Sequence, residues 1–369
     1  MNESEDQNSS PSSNRNFSLI DGATPDSPDI LIDTERQIQI ASSPEFTVEE
    51  RLEAYEDIFE SQVGDTTMTR TRNSEREIGL RQIYMKFEGS NPTGTQKDRI
   101  AFAQGMDALR RGYDAVTVAT CGNYGVAIAL ASYMAGLKCF IFIPKNYQTK
   151  RIDEIRKFGA EIIRTPSDYE QTVQLSQEYA AEKEIYDANP GGENTALQLS
   201  AYGEIAYEIY DELRDAPTAV AVPVSNGTTL AGLYKGFVSL YRRGKTSHVP
   251  KLIAGSSYGK NPIVQAYLKN LPSCEDLSAE DIRETKINEP LINWHSIDGD
   301  LALEAIRRTG GLAGYVSDRS MMSFSRMVRE QEGLSVLPAS TAGLAVLANG
   351  YRERSLEPGR YVVILTGRR

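Results

Sequence analysis

A chain of 369 residues, 40% of them hydrophobic, can bury a sizeable core and has room for two domains. Its formal net charge of −11 argues against a nucleic-acid partner, because a phosphate backbone rewards basic surfaces. Cys121, Cys139 and Cys274, with His248 and His295, show no metal-ligand spacing, no disulfide framework and no Ser-His-Asp triad, so no metal site is expected.

Residues 1–45 are rich in Ser, Asn, Asp and Pro and read as a disordered or loosely attached extension. They carry no basic-then-apolar leader, and no apolar run approaches membrane-spanning length, so a cytoplasmic location without membrane contact is expected. Thr47 reads as the cap of a helix that runs to about Phe59. The loop Asn91-Pro92-Thr93-Gly94-Thr95-Gln96-Lys97-Asp98-Arg99 follows; a lone lysine in such a loop is ordinarily a solvated surface residue. A helix is predicted over 98–111, ended by Gly112, then a strand over 115–119. Thr120-Cys121-Gly122-Asn123-Tyr124-Gly125 makes a tight turn into a helix over 124–135, with Gly136 at its end. Then come a strand over 138–143 closed by Pro144, a helix over 150–158, a strand over 160–164 and a helix over 169–183.

A strand over 219–224 runs into Ser225-Asn226-Gly227-Thr228-Thr229 and a helix. Small residues at a helix start let backbone N–H groups close on an anion, and hydroxyls add donors. No Gly-Lys-Ser/Thr follows, which disfavours a nucleotide P-loop. The last strand, 361–365, ends in Thr366-Gly367. Regular βα alternation predicts an α/β protein with two open, mostly parallel sheets covered by helices. Residues 98–190 would form a small domain, and 46–97 with 191–369 a larger one. Ligands of such sheets bind at strand carboxyl ends, where residues 122–123 and 225–229 both lie.

Five segments, spread over roughly residues 60–367, resemble fold-type II pyridoxal-phosphate (PLP) enzymes, and threonine synthases in particular. The lysine loop is similar to their Asn-Pro-Thr-Gly-Ser-Phe-Lys-Asp-Arg. The Gly122-Asn123 turn, the 225–229 loop, Pro338-Ala339-Ser340 and the terminal Thr366-Gly367 follow in the family's order. The resemblance implies PLP as cofactor and Lys97 as the catalytic Schiff-base lysine. It implies that Asn123 bonds the cofactor ring oxygen, that Ser225, Asn226, Gly227, Thr228 and Thr229 hold its phosphate, and that Thr366 meets the pyridine nitrogen. Thr120, Cys121, Gly122, Tyr124 and Gly125 would receive the carboxylate of a small amino-acid substrate. A homodimer is an assembly the resemblance allows.

The departures bear on substrate. Tyr124 replaces a Thr, Gln96 replaces a Phe, and Leu199 stands where the family's phosphate-gripping Arg is expected. Lys145, Lys150, Arg151 and Arg368 are candidate replacement cations. Conversion of O-phosphohomoserine to threonine, replacement or elimination on another activated amino acid, and a non-catalytic PLP- or amino-acid-binding role all remain open. Gly227→Val is expected to weaken PLP binding far more than folding.

Overall fold

Strands that read as unbroken apolar runs need cover on both faces, and the fold provides it in two sheets. The computed structural model describes residues 34–120, 122–145, 151–166, 169–353 and 356–369. Cys121, Lys150 and residues 1–33 lie outside them. The strands, in chain order, are β1 Met68–Arg70, β2 Ile83–Phe87, β3 Ala115–Ala119, β4 Lys138–Pro144, β5 Glu161–Thr165, β6 Tyr186–Asp187, β7 Ala219–Pro223, β8 Lys251–Ser257, β9 Leu312–Val316 and β10 Tyr361–Leu365. One sheet has the order β5-β4-β3-β6, the other β1-β2-β10-β7-β8-β9. Every pairing is parallel except β1 with β2.

The period-2 pleat sorts the large sheet's side chains. Val220, Val222, Leu252, Ala254, Val362 and Ile364 face a core shared with the small sheet. Ala219, Ala221, Ile253, Tyr361, Val363 and Leu365 face a second core, against which the helices Asp318–Glu332 and Ala342–Arg352 pack. β1, a short Met-Thr-Arg edge, is the exposed exception.

The helix Val48–Gln62 starts as predicted, at a capping box: the Thr47 hydroxyl accepts from the Glu50 N–H, and the Glu50 carboxylate accepts from the Thr47 N–H. The expectation of a loose extension up to residue 45 needs correcting at its inner end. Thr34–Ser42 is a helix with Ala41 fully buried and Ile38 and Ile40 packed on the core. Arg51 fixes it, donating to the Ala41 carbonyl at 2.9 Å and to the Ala135 carbonyl at 3.0 Å. Averaged over 45 residues, the polar composition hid this short apolar face. The helix expected over 150–158 is Ile152–Lys157.

One helix contact positions the site directly. Thr195–Leu213 lies against Thr228–Arg242, and glycines remove the side chains that would hold them apart. A Cβ at Gly236 would stand 2.5 Å from the Gly203 carbonyl, and one at Gly232 would stand 2.7 Å from the Tyr202 Cβ. This close approach seats Tyr202, which is fully buried, beside the start of the second helix. No helix among the described residues is long and apolar enough to cross a membrane.

Candidate active site

Four chain segments leave strand carboxyl ends and meet: β2 leads to the lysine loop, β3 to Gly122-Asn123, β7 to residues 225–229 and β10 to Thr366. In the large sheet β2, β10 and β7 are neighbours. A cavity there is lined by Lys97, Asn123, Ser225, Asn226, Gly227, Thr228, Thr229 and Thr366. Gln96, Leu291, Leu337 and Ser340 are among the other residues of its walls.

The lysine loop is closed by its own acid. Asp98 accepts from the Thr93 N–H at 2.9 Å and from the Thr93 hydroxyl at 2.7 Å. Burial pushes its carboxyl up to about 7 against these bonds. Arg99 anchors the loop from beneath. Its guanidinium meets Glu88 at 2.7 and 2.9 Å and Glu208 at 2.6 and 2.9 Å. Lys86 pairs with the same Glu208 at 2.5 Å. Two cations and two carboxylates thus balance inside the protein, and although burial opposes it, Arg99 and Lys86 hold the Glu208 carboxyl down at about 2.

Lys97 opens the helix Lys97–Arg110 and is half-buried. Its Nζ lies 6.0 Å from the ring centroids of both Tyr124 and Tyr202. Burial lowers its amine to about 8, with the Asp298 carboxylate partly opposing. The Tyr124 hydroxyl turns away from the cavity, donating to the Ala188 carbonyl at 2.7 Å and touching Gln104. Its ring, not its hydroxyl, therefore faces the lysine.

The loop at the end of β7 is braced from outside. The Ser225 carbonyl accepts from Asn261 at 3.0 Å and from Ser296 at 3.2 Å. The Asn226 carbonyl accepts from the Asp298 N–H at 2.9 Å. The Thr228 hydroxyl donates to the Asp298 carboxylate. These bonds hold the first N–H groups of Thr228–Arg242 toward the cavity, where no intrahelical acceptor reaches them. Across the cavity the Thr366 hydroxyl lies 3.1 Å from the Ser340 hydroxyl. Asn123 Oδ1 accepts from Arg151 at 2.8 Å, and Arg151 also donates to the Thr93 carbonyl at 2.9 Å.

Residues 59–367 match the family of pyridoxal-phosphate-dependent enzymes. The chain belongs to that family. It is 29% identical over 309 residues to threonine synthase from Methanocaldococcus jannaschii, covering 82% of this chain and 74% of that protein. Threonine synthase from Mycobacterium tuberculosis is 28% identical, with 81% and 79% covered. Maize serine racemase superposes with a TM-score of 0.72 at 18% identity, covering 86% of this chain and 92% of that one. Threonine deaminase isoform 2 from Solanum lycopersicum gives 0.70 at 16%, covering 87% and 90%. The fold is that of fold-type II enzymes, and PLP is the cofactor.

The cavity of this PLP enzyme suits the cofactor on its own terms. An anion can sit at a helix start with hydroxyls around it, and a desolvated lysine amine can reach a carbonyl. Of the described residues of the Thr120–Gly125 turn, only Asn123 lines the cavity. Gly125 serves packing, since a Cβ there would stand 3.1 Å from Thr120 and 3.2 Å from Ile155. Leu199 is absent from the lining; its carbonyl packs on Gly232. Arg151 and Arg368 both reach the lysine loop, Arg368 at the Pro92 carbonyl at 3.2 Å, whereas Lys145 is exposed. His295 pairs with Asp276 at 2.7 Å on the surface. No His, Cys, Asp or Glu cluster suited to a metal occurs among the described residues.

The expectation for Gly227→Val is corrected. Gly227 has φ +91°, and a Cβ there would stand 2.8 Å from the Asp298 carbonyl and 2.9 Å from the Ala302 Cβ. Valine at this position meets backbone, so we predict that Gly227→Val lowers folding yield and thermal stability together with PLP binding. A normal melting temperature in that variant would contradict the geometry. Tyr202, Asp298, Asn261 and Ser296 were not anticipated from sequence. Asn293 joins this brace, its side chain donating to the Ser296 hydroxyl at 2.7 Å.

Proposed function

We propose that the protein acts in the cytoplasm as a lyase-type enzyme, eliminating or replacing a side-chain group of an activated amino acid, as threonine synthases do. The observation that carries this reading is the desolvated Lys97 amine in a cavity walled by a helix start on one side and only neutral hydroxyls at Thr366 and Ser340 on another. Bound PLP supplies a conjugated sink for the charge that develops at the substrate α-carbon.

Lys97 Nζ would first hold the cofactor carbonyl and then, displaced by the substrate amine, take the α-proton; an amine near 8 suits that exchange at neutral pH. Residues 225–229 would hold the phosphate through backbone N–H groups and hydroxyls. Arg151 occupies Asn123 Oδ1, which leaves Nδ2 of Asn123 as the donor for the ring oxygen. The turn Thr120–Gly125, at the start of the helix Asn123–Ala135, would receive the substrate carboxylate. A hydroxyl such as Thr366, unlike a carboxylate, would leave the ring nitrogen largely unprotonated, which favours elimination and replacement over transamination.

The leaving group is proposed to differ from the phosphate of O-phosphohomoserine. Among the described residues Lys97 is the only cation lining the cavity, and two tyrosine rings flank it. A poorly paired phosphate dianion in a half-closed site costs several kcal/mol. At about 1.4 kcal/mol per tenfold, kcat/KM on O-phosphohomoserine should fall a few orders of magnitude below an efficient enzyme's. Steady-state kinetics with that substrate decide the matter; efficient threonine formation would restore the plain threonine synthase reading.

The phosphate assignment has a separate test. Thr229→Val keeps the shape of a buried helix-start residue and removes one donor. A hydrogen bond to a charged group is worth about 1.5–3 kcal/mol, so PLP affinity should drop roughly ten- to a hundredfold with little change in melting temperature. Unchanged affinity would place the phosphate elsewhere.

A further inference from the structure

The loop at the end of β7 holds one group that does not belong in an anion site: a carboxylate. Residues 296–298 run alongside the loop. The Ser296 hydroxyl bonds the Ser225 carbonyl and the Asp298 N–H bonds the Asn226 carbonyl. The Asp298 carbonyl abuts Gly227, so Asp298 cannot withdraw without moving the loop. Its side chain is 4% exposed and accepts the Thr228 hydroxyl proton.

A hydroxyl has one proton to give. While Asp298 is ionised, Thr228 gives that proton to Asp298 and turns only lone pairs toward the helix start. A phosphate dianion arriving there would meet those lone pairs and a buried carboxylate behind them, and like charges at such range disfavour each other.

We propose that Asp298 takes up a proton when a phosphate monoester binds, and that the pair then works as a relay: Asp298 O–H donates to Thr228 Oγ, and Thr228 O–H donates to a phosphate oxygen. One proton enters from solvent and no covalent bond to carbon or phosphorus changes. This rests on the reading of residues 225–229 as the phosphate site.

The surroundings of Asp298 favour that uptake. Burial already pushes its carboxyl up; the hydroxyls of Thr228 and Thr195 and the ammonium of Lys97 pull it down. Lys97, which lines the same cavity, is the charged group that acts on it. The next acid, Asp300, is turned away to the Cys274 N–H at 2.7 Å. A phosphate dianion at the helix start adds a like charge beside Asp298 and raises its carboxyl further.

The test uses the cofactor-free full-length protein and 4′-deoxypyridoxine 5′-phosphate, a phosphate monoester with no carbonyl for Lys97. Calorimetry at about pH 6.5 to 9, in paired buffers of different ionisation heat, gives affinity and protons taken up. The wild type is compared with Asp298→Asn and Thr228→Val, so the probe's own titration cancels. In Asp298→Asn the amide NH2 donates to Thr228 at every pH. We expect wild-type affinity to fall with rising pH more steeply than that of Asp298→Asn, the gap approaching tenfold per pH unit. The wild type should take up a fraction of a proton that both variants lack. Should Asp298→Asn not fold, the proton count of wild type against Thr228→Val carries the same comparison. Tight binding with parallel pH profiles and equal proton counts would overturn the relay alone. Absence of probe binding to folded wild type would overturn the phosphate-site reading and the relay with it.

Discussion

Lys97→Ala is expected to give a folded protein that still takes up PLP but has lost about three to four orders of magnitude in activity, the upper range for a positioned proton-transfer group. Folding should survive because alanine suits the first turn of Lys97–Arg110 and the loop is held by its neighbours Asp98 and Arg99, not by the Lys97 amine. Cofactor should still bind because the proposed phosphate site, residues 225–229, is built by another segment.

The amine's environment adds a pH signature. With its amine near 8, against 10.5 for an ordinary lysine, Lys97 should capture PLP faster as pH rises through about 8, where exposed lysines remain protonated. In the cofactor-free protein the folded state binds fewer protons here than the unfolded state between those two values. Stability should therefore gain with rising pH across that window, and Lys97→Ala should remove the gain. Activity near wild type in Lys97→Ala would end the assignment of this residue.

Arg99→Leu should have the largest effect on stability. It leaves Glu88, fully buried, without a cation, and leaves Glu208 with Lys86 alone. Stripping one partner from a buried ion network costs on the order of 3–5 kcal/mol, because the remaining charge stays desolvated. Arg99→Lys should recover only part, since a point charge cannot match two carboxylates bidentately. Adding Glu88→Gln to Arg99→Leu should return some of the loss by removing the stranded charge. The readout is the urea midpoint of each variant at constant pH. A shift below about 1 kcal/mol for Arg99→Leu would show that water reaches these carboxylates.

The loops that meet at the site were legible because their chemistry is local. A glycine turn at a strand end followed by a helix exposes N–H groups whatever lies around it, so Gly122-Asn123 and residues 225–229 could be found from order and spacing. The alternation of helix and strand from 97 to 183 was readable for the same reason. What stayed hidden depends on residues distant in sequence. Arg99 needs Glu208, 109 positions on, before it becomes an anchor. Gly227 reads as a simple loop glycine until Asp298 and Ala302 pack on it. Tyr202 lies in an ordinary amphipathic helix, and only the close approach at Gly232 and Gly236 turns its ring to Lys97. Leu199 marked a departure from the threonine synthase pattern, yet it is not among the residues that line the cavity, and its backbone carbonyl packs on Gly232.

The central claim is that Lys97 carries PLP in the cavity between Asn123, residues 225–229 and Thr366. Borohydride reduction of the yellow holoprotein, followed by peptide mass mapping, tests it most directly. We predict one phosphopyridoxyl group per chain, on the peptide containing Lys97, and none on that peptide in Lys97→Ala. A label on another lysine, or a protein that stays colourless when PLP is added, would contradict it.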